Sequence, residues 1–197
     1  AGMTILPYYG CLGDLKSKDR LIIEGQSDYQ IVIPAEAKAI EQEAAKELQH
    51  YLSMLSEAAL PIIEESKTDI EHAIYIGATG FAKARKVDFK QLQKDGYIFN
   101  RHDDQFVIAG GSQNGVLYGV YSFLEYLGFR KYTSDDDVQF PNKNEISMPK
   151  DNVDIPYIKY RTTSYYDARD SDYARWHKHS SRDSWGLFVH TFEVLIP

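Results

Sequence analysis

Two stretches of the chain carry apolar residues at spacings of three and four, and short unbroken apolar runs with polar breaks fill most of the rest. Ala37, Ile40, Ala44, Leu48, Tyr51, Leu52 and Leu55 form one helical stripe, which predicts an amphipathic helix over 35–56 with Pro34 at its first turn. Glu41, Glu43, Lys46, Glu47 and Gln49 fall on the other side and read as a solvated face. Val116, Leu117, Val120, Tyr121, Leu124 and Leu127 predict a second helix over 113–127, stopped by Gly128. The apolar runs predict strands. Residues 21–25 and 29–33 read as a hairpin, 60–64 and 73–77 as strands inside a sheet, and 96–100 with 105–109 as a second hairpin. Residues 129–132 and 145–148 are shorter β-like pieces, 150–154 reads as a linker, and the β-branched and aromatic run 157–165 as a strand. This order gives an α/β (α+β) fold, a mixed sheet with two main helices packed on one face.

Composition narrows the function. The 197 residues hold one sizeable domain or one domain and part of another. A net charge of -7 with no Lys/Arg stripe argues against nucleic acid, and no apolar run approaches the roughly 20 residues of a membrane span. Cys11 is the one cysteine, which excludes an intramolecular disulfide and a Cys-rich zinc site. The first residues, Ala1-Gly2-Met3-Thr4, show no signal-peptide pattern. Both tryptophans, Trp176 and Trp185, lie beyond residue 150.

Most candidate motifs have a simpler structural explanation. Gly110-Gly111-Ser112-Gln113-Asn114-Gly115 sits where a phosphate loop would, yet Val116-Leu117 replaces the Lys-Ser/Thr of a P-loop and the GxGxxG spacing fails. Gly115 and Gly119 are better explained by close approach of the helix to the sheet. His177, His179 and His190 lack a coherent ligand set for zinc, and Arg175, Lys178 and Arg182 would oppose a cation. Asp135 to Asp137 lacks calcium-loop spacing, and Asp167, Asp170, Asp172 and Asp183 include carboxylates of the type that glycoside hydrolysis uses in pairs. Arg161, inside an apparent strand, must either pair with a carboxylate or face a ligand. Tyr165, Tyr166, Trp176 and Trp185 could stack on sugar faces or fill a core.

The blocks Ala44 to Leu52, Ala73 to Gly77, Asp95 to Ile98, and above all Gly115-x-x-Tyr118-Gly119 with Leu124-Glu125-x-x-Gly128, resemble the N-terminal accessory domain of family 20 β-N-acetylhexosaminidases and family 67 α-glucuronidases. The tail block Trp185 to Phe192 resembles the domain-of-unknown-function family 4838 of glycoside-hydrolase-like proteins. The resemblance implies a 1–19 extension, an accessory domain at 20–150, and the beginning of a (β/α)8 barrel at 151–197 starting after Pro156. It further implies that Arg161 matches a first-strand arginine that binds sugar hydroxyls, although Thr162 replaces the usual glycine. A barrel needs about 250 residues. The catalytic carboxylates are therefore expected beyond Pro197, and the chain is read as the mainly non-catalytic part of a glycoside hydrolase, or alternatively as a carbohydrate-binding or structural module. Arg161, Trp176 and His190 are the expected glycan contacts, with no catalytic residue, metal or cofactor in this chain. The implied location is periplasmic or extracellular.

Overall fold

The computed structural model describes residues 20–23, 25–55, 60–66, 70–112, 114–140 and 145–180. Eight strands are present among them: β1 Arg20–Ile23, β2 Gln30–Ile33, β3 Ile62–Glu64, β4 Ala73–Ile76, β5 Tyr97–His102, β6 Gln105–Gly110, β7 Glu145–Ser147 and β8 Asn152–Asp154. The helices are α1 Ala39–Ser53, α2 Gly80–Ala84, α3 Gly115–Leu127 and α4 Ser171–Trp176, with a 3-10 turn at Asp167–Arg169.

Six strands form one open sheet in the order β3-β2-β4-β6-β5-β8. The neighbours among β3, β2, β4 and β6 are parallel, whereas β5 runs antiparallel to both β6 and β8. The sheet is mixed, as the alternation of elements predicts. Its central strands are apolar on both faces because both faces are covered. Ile31, Ile74, Ile76, Phe106 and Ile108 point into the larger core beneath α1 and α3. Val32, Ala73, Tyr75, Val107 and Ala109 point the other way, where Ala82 and Phe81 of α2 and the partly buried Val87 and Phe89 cover them.

Helix α3 matches its periodic stripe closely. Gly128, at φ +110°, ends it in the left-handed conformation, and the amides of Gly128 and Phe129 close on the carbonyl of Leu124. The glycines are spacing devices. A Cβ on Gly115 would lie 2.2 Å from the carbonyl oxygen of Gly96, and one on Gly119 would lie 2.8 Å from Cγ2 of Ile108. Alanine normally favours a helix over glycine by about 1 kcal/mol. At Gly115 the obstacle is backbone, so Gly115→Ala is expected to reverse that sign and destabilise the fold by about 1–3 kcal/mol in urea unfolding; a stabilised variant would refute the close approach.

Four local readings change. Strands β1 and β2 are not a hairpin: β1 pairs antiparallel with β7 in a separate two-stranded sheet, and β2 joins the large one. Leu21 and Ile22, adjacent along β1, are both buried, so the strand lacks the in-out alternation of a free hairpin arm. The last three residues of the expected linker are β8, whose backbone completes the edge of β5. Residues 157–165 form no strand, because no neighbouring strand among the described residues takes up their hydrogen bonds. The β-like piece 129–132 is reduced to one bridge, Arg130 with Gln139.

Helix α1 begins at Ala39, later than its stripe implies, and Pro34 stays outside it. The reason is Glu41, expected on the solvated face but 5% exposed. Its carboxylate accepts the amide of Lys38 at 2.8 Å and that of Ala78 at 2.8 Å, so it both starts the helix and fastens the turn after β4. Gly77, at φ +84°, leaves room for this side chain; a Cβ there would sit 2.3 Å from Oε1 of Glu41. Glu65, just after β3, takes the amides of Gly80 and Phe81 at 2.6 and 2.8 Å.

Candidate functional site

The segment that follows β8 folds back over α1 and α3 and encloses a cleft against the start of α3. Its anchor is Trp176, 2% exposed, with ring centroids 5.3 Å from Tyr51 and 4.9 Å from Tyr121. Burial pushes the Tyr51 phenol up to about 12 and raises that of Tyr121 further, and the Tyr121 hydroxyl donates to Glu47 at 3.3 Å. Burial also raises the Glu47 carboxyl, against the lowering effect of that hydrogen bond. Trp176 is therefore a core side chain here, with no open face for a sugar ring. The same aromatic bulk that suggested stacking has gone into packing.

Charge sorts itself across this junction by element. Arg161, Arg175 and Lys178 come from the returning segment, and their partners Asp95, Glu43 and Glu125 come from the body. Arg161 is the most enclosed of the three. Its Nη2 donates to Asp95 Oδ2 at 2.7 Å, its Nε to the Lys178 carbonyl and its Nη1 to the Ile158 carbonyl, both at 2.9 Å. The guanidinium carbon lies 5.9 Å from the centroid of the Tyr118 ring. The backbone of Arg161 is tied reciprocally to Ser180, through Oγ and the amide, each at 2.8 Å. Of the two alternatives the sequence leaves open, the carboxylate partner is thus present. Asp95 itself was missed; its position just before Gly96, at the mouth of β5, was the available signal.

The remaining expected contacts divide. His190, like Trp185 and Asp183, lies outside the described residues. Asp167 is lowered from the usual carboxylate value by the Ser134 amide and hydroxyl, each at 2.8 Å from Oδ1. Asp170 caps α4 by accepting the Tyr173 amide at 2.8 Å. His177 contacts the Lys131 carbonyl through Nε2 at 2.9 Å, and its ring lies 6.4 Å from that of His179. Among the described residues, no three His, Cys, Asp or Glu side chains gather as a metal site.

Between the start of α3 and the returning segment lies the cleft, of about 360 Å³. Asn114 and Tyr118 form one wall; Thr162, the residues from Ala168 to Ser171, and His179 form much of the other. The Tyr118 hydroxyl donates to the His179 carbonyl at 2.8 Å and closes one end. Burial, with His177 and Arg161 nearby, lowers the His179 imidazole below its ordinary value, so it is neutral at pH 7. The two walls together supply hydrogen-bond donors and acceptors rather than a nucleophile paired to a base.

Residues 17–123 match the family described as Glycosyl hydrolase family 67 N-terminus, more than half of the chain. The chain belongs to that family. Among solved structures, this family 67 N-terminal chain is similar to a GH138 enzyme targeting pectin rhamnogalacturonan II, at 14% identity and a TM-score of 0.42 over 68% of this chain and 12% of that one. It is also similar to a GH115 4-O-methyl-α-glucuronidase with specificity for decorated arabinogalactans, at 16% identity and a TM-score of 0.44 over 69% of this chain and 19% of that one. The chain thus spans less than a fifth of either enzyme's length. No curated protein matches it.

Proposed function

We propose that this chain is the accessory, mainly non-catalytic part of a glycoside hydrolase acting on polysaccharide or glycan. The family match over 17–123 carries the reading. The state of Asp167 supports it: its Oδ1 accepts both the amide and the hydroxyl of Ser134, a structural tie rather than the setting of an acid or a nucleophile. The division into an accessory domain at 20–150 and a following barrel-type unit belongs to the same reading, with β8 the last strand that the sheet recruits among the described residues. Residues 157–166 support that second unit. Tyr157 is 99% exposed, and Ile158, Tyr160, Tyr165 and Tyr166 are each more than half exposed, a concentration of apolar surface suited to burial against further protein. Kinship to the hexosaminidase or family 4838 proteins, and an exported location, are finer parts of the proposal.

The purified 197-residue chain is expected to show no hydrolysis of aryl glycosides, while a longer polypeptide carrying this segment and a complete catalytic domain hydrolyses glycan. Turnover by the 197-residue chain, abolished by Asp167→Asn or Asp172→Asn, would overturn the non-catalytic assignment.

A further inference from the structure

The cleft beside α3 has a composition that its structural duties do not exhaust. Its volume of about 360 Å³ lies at the small end of the range of small-molecule sites, about 300–1,000 Å³. Among the described residues, the Thr162 hydroxyl and the second oxygen of Asp170 have no hydrogen-bond partner, and Arg169 meets only the Tyr166 ring, at 5.8 Å. Nδ1 of His179 is buried without a partner. That one buried atom needs water or a ligand, since leaving it unmade costs about 1–3 kcal/mol, whereas Thr162, Arg169 and Asp170 are exposed at the cleft's mouth with polar groups free to meet a ligand.

The charges decide what kind of ligand fits. Arg175 is neutralised by Glu43, and Arg169 stands next to Asp170, so the cleft offers no unbalanced charge to an ion. What it offers is acceptor, donor and amphoteric groups side by side, with the methyls of Ala168 and Ala174 between them. Vicinal hydroxyls both donate and accept, and they match a carboxylate and a guanidinium on adjacent residues. We propose that this cleft binds a neutral saccharide unit, with Arg169, Asp170 and Thr162 holding adjacent hydroxyls. The site rests on the glycan reading above.

The test is backbone-amide NMR titration of the 197-residue chain with glucose, galactose, mannose and xylose, each to about 100 mM, with glucuronate as the charged comparison. At least one neutral sugar is expected to shift the amides of Thr162, Arg169 and Ser171 with a Kd of about 1–10 mM. Arg169→Gln and Asp170→Asn should each weaken it about tenfold. Both variants should fold, since Arg169 is exposed and asparagine caps a helix as well as aspartate. Absence of shifts with every neutral sugar, binding of glucuronate alone, or unchanged affinity in both variants would overturn the site. Glycan hydrolysis by a longer polypeptide is measured separately, so its loss strikes the functional reading and the loss of sugar shifts strikes only the cleft.

Discussion

Trp176→Ala should cost about 3–5 kcal/mol of unfolding free energy, the usual range for truncating a buried large aromatic. The ring is 2% exposed and wedged against Tyr51 and Tyr121, and such aromatic pairs contribute about 0.5–1.5 kcal/mol beyond their burial. The loss falls first on the junction. Arg175, the neighbour that pairs with Glu43, is positioned by the same short helix, so the two contributions are coupled. Guanidinium unfolding followed by circular dichroism reads the total, and limited proteolysis within 155–166 reads release of the returning segment. Trp176→Phe should lose much less on both. A variant with native stability and native protease resistance would show that the side chain is not a core anchor.

Glu41→Ala is the second large effect, expected at about 2–4 kcal/mol. Each charge-assisted hydrogen bond contributes about 1.5–3 kcal/mol, and a buried amide left without its acceptor adds a penalty of its own. Two amides, of Lys38 and Ala78, depend on this carboxylate. Glu41→Gln keeps the oxygen acceptor but not the charge, and should lose roughly half as much. Urea midpoints of the two variants give the comparison. A change below about 0.5 kcal/mol for Glu41→Ala, the level of an ordinary surface substitution, would contradict its burial.

Periodicity made α1, α3 and the β5–β6 hairpin legible, because each is defined by local spacing and by a stop or turn beside it. Gly128 ended α3, and Asp103, at φ +50°, turns the hairpin. The failures share a cause. Strand β1 finds its partner in β7, more than a hundred residues away, and β8 finds one in β5; neither partner leaves a mark on the local pattern. Glu41 looked like surface because a charged residue on a helix usually is, and only the turn after β4 reveals why it is not. Arg161 was legible as a cation needing a partner, but the choice between protein carboxylate and ligand required Asp95 to be brought to it. Trp176 and the exposed tyrosines of 157–166 have the same composition and opposite fates, which depend on whether Tyr51 and Tyr121 are within reach.

Open α/β sheets take ligands at the carboxyl ends of their parallel strands. Here that edge carries its own resident acids: Glu41 answers the Ala78 amide behind β4, and Glu65, behind β3, the amides of Gly80 and Phe81 that open α2. Two berths that a diffusing anion could use are thus taken by the chain itself. At the end of β6, where Gly110 leads to Asn114 and the cleft, the amides of Gly111 and Ser112 are taken by the carbonyls of Gly96 and Gln93 instead of by an acid. The carboxyl edge of the sheet is thus closed by the chain's own side chains behind β3 and β4, and the proposed saccharide cleft lies past the third of these parallel strand ends, beyond the tight packing of Gly110 on α3.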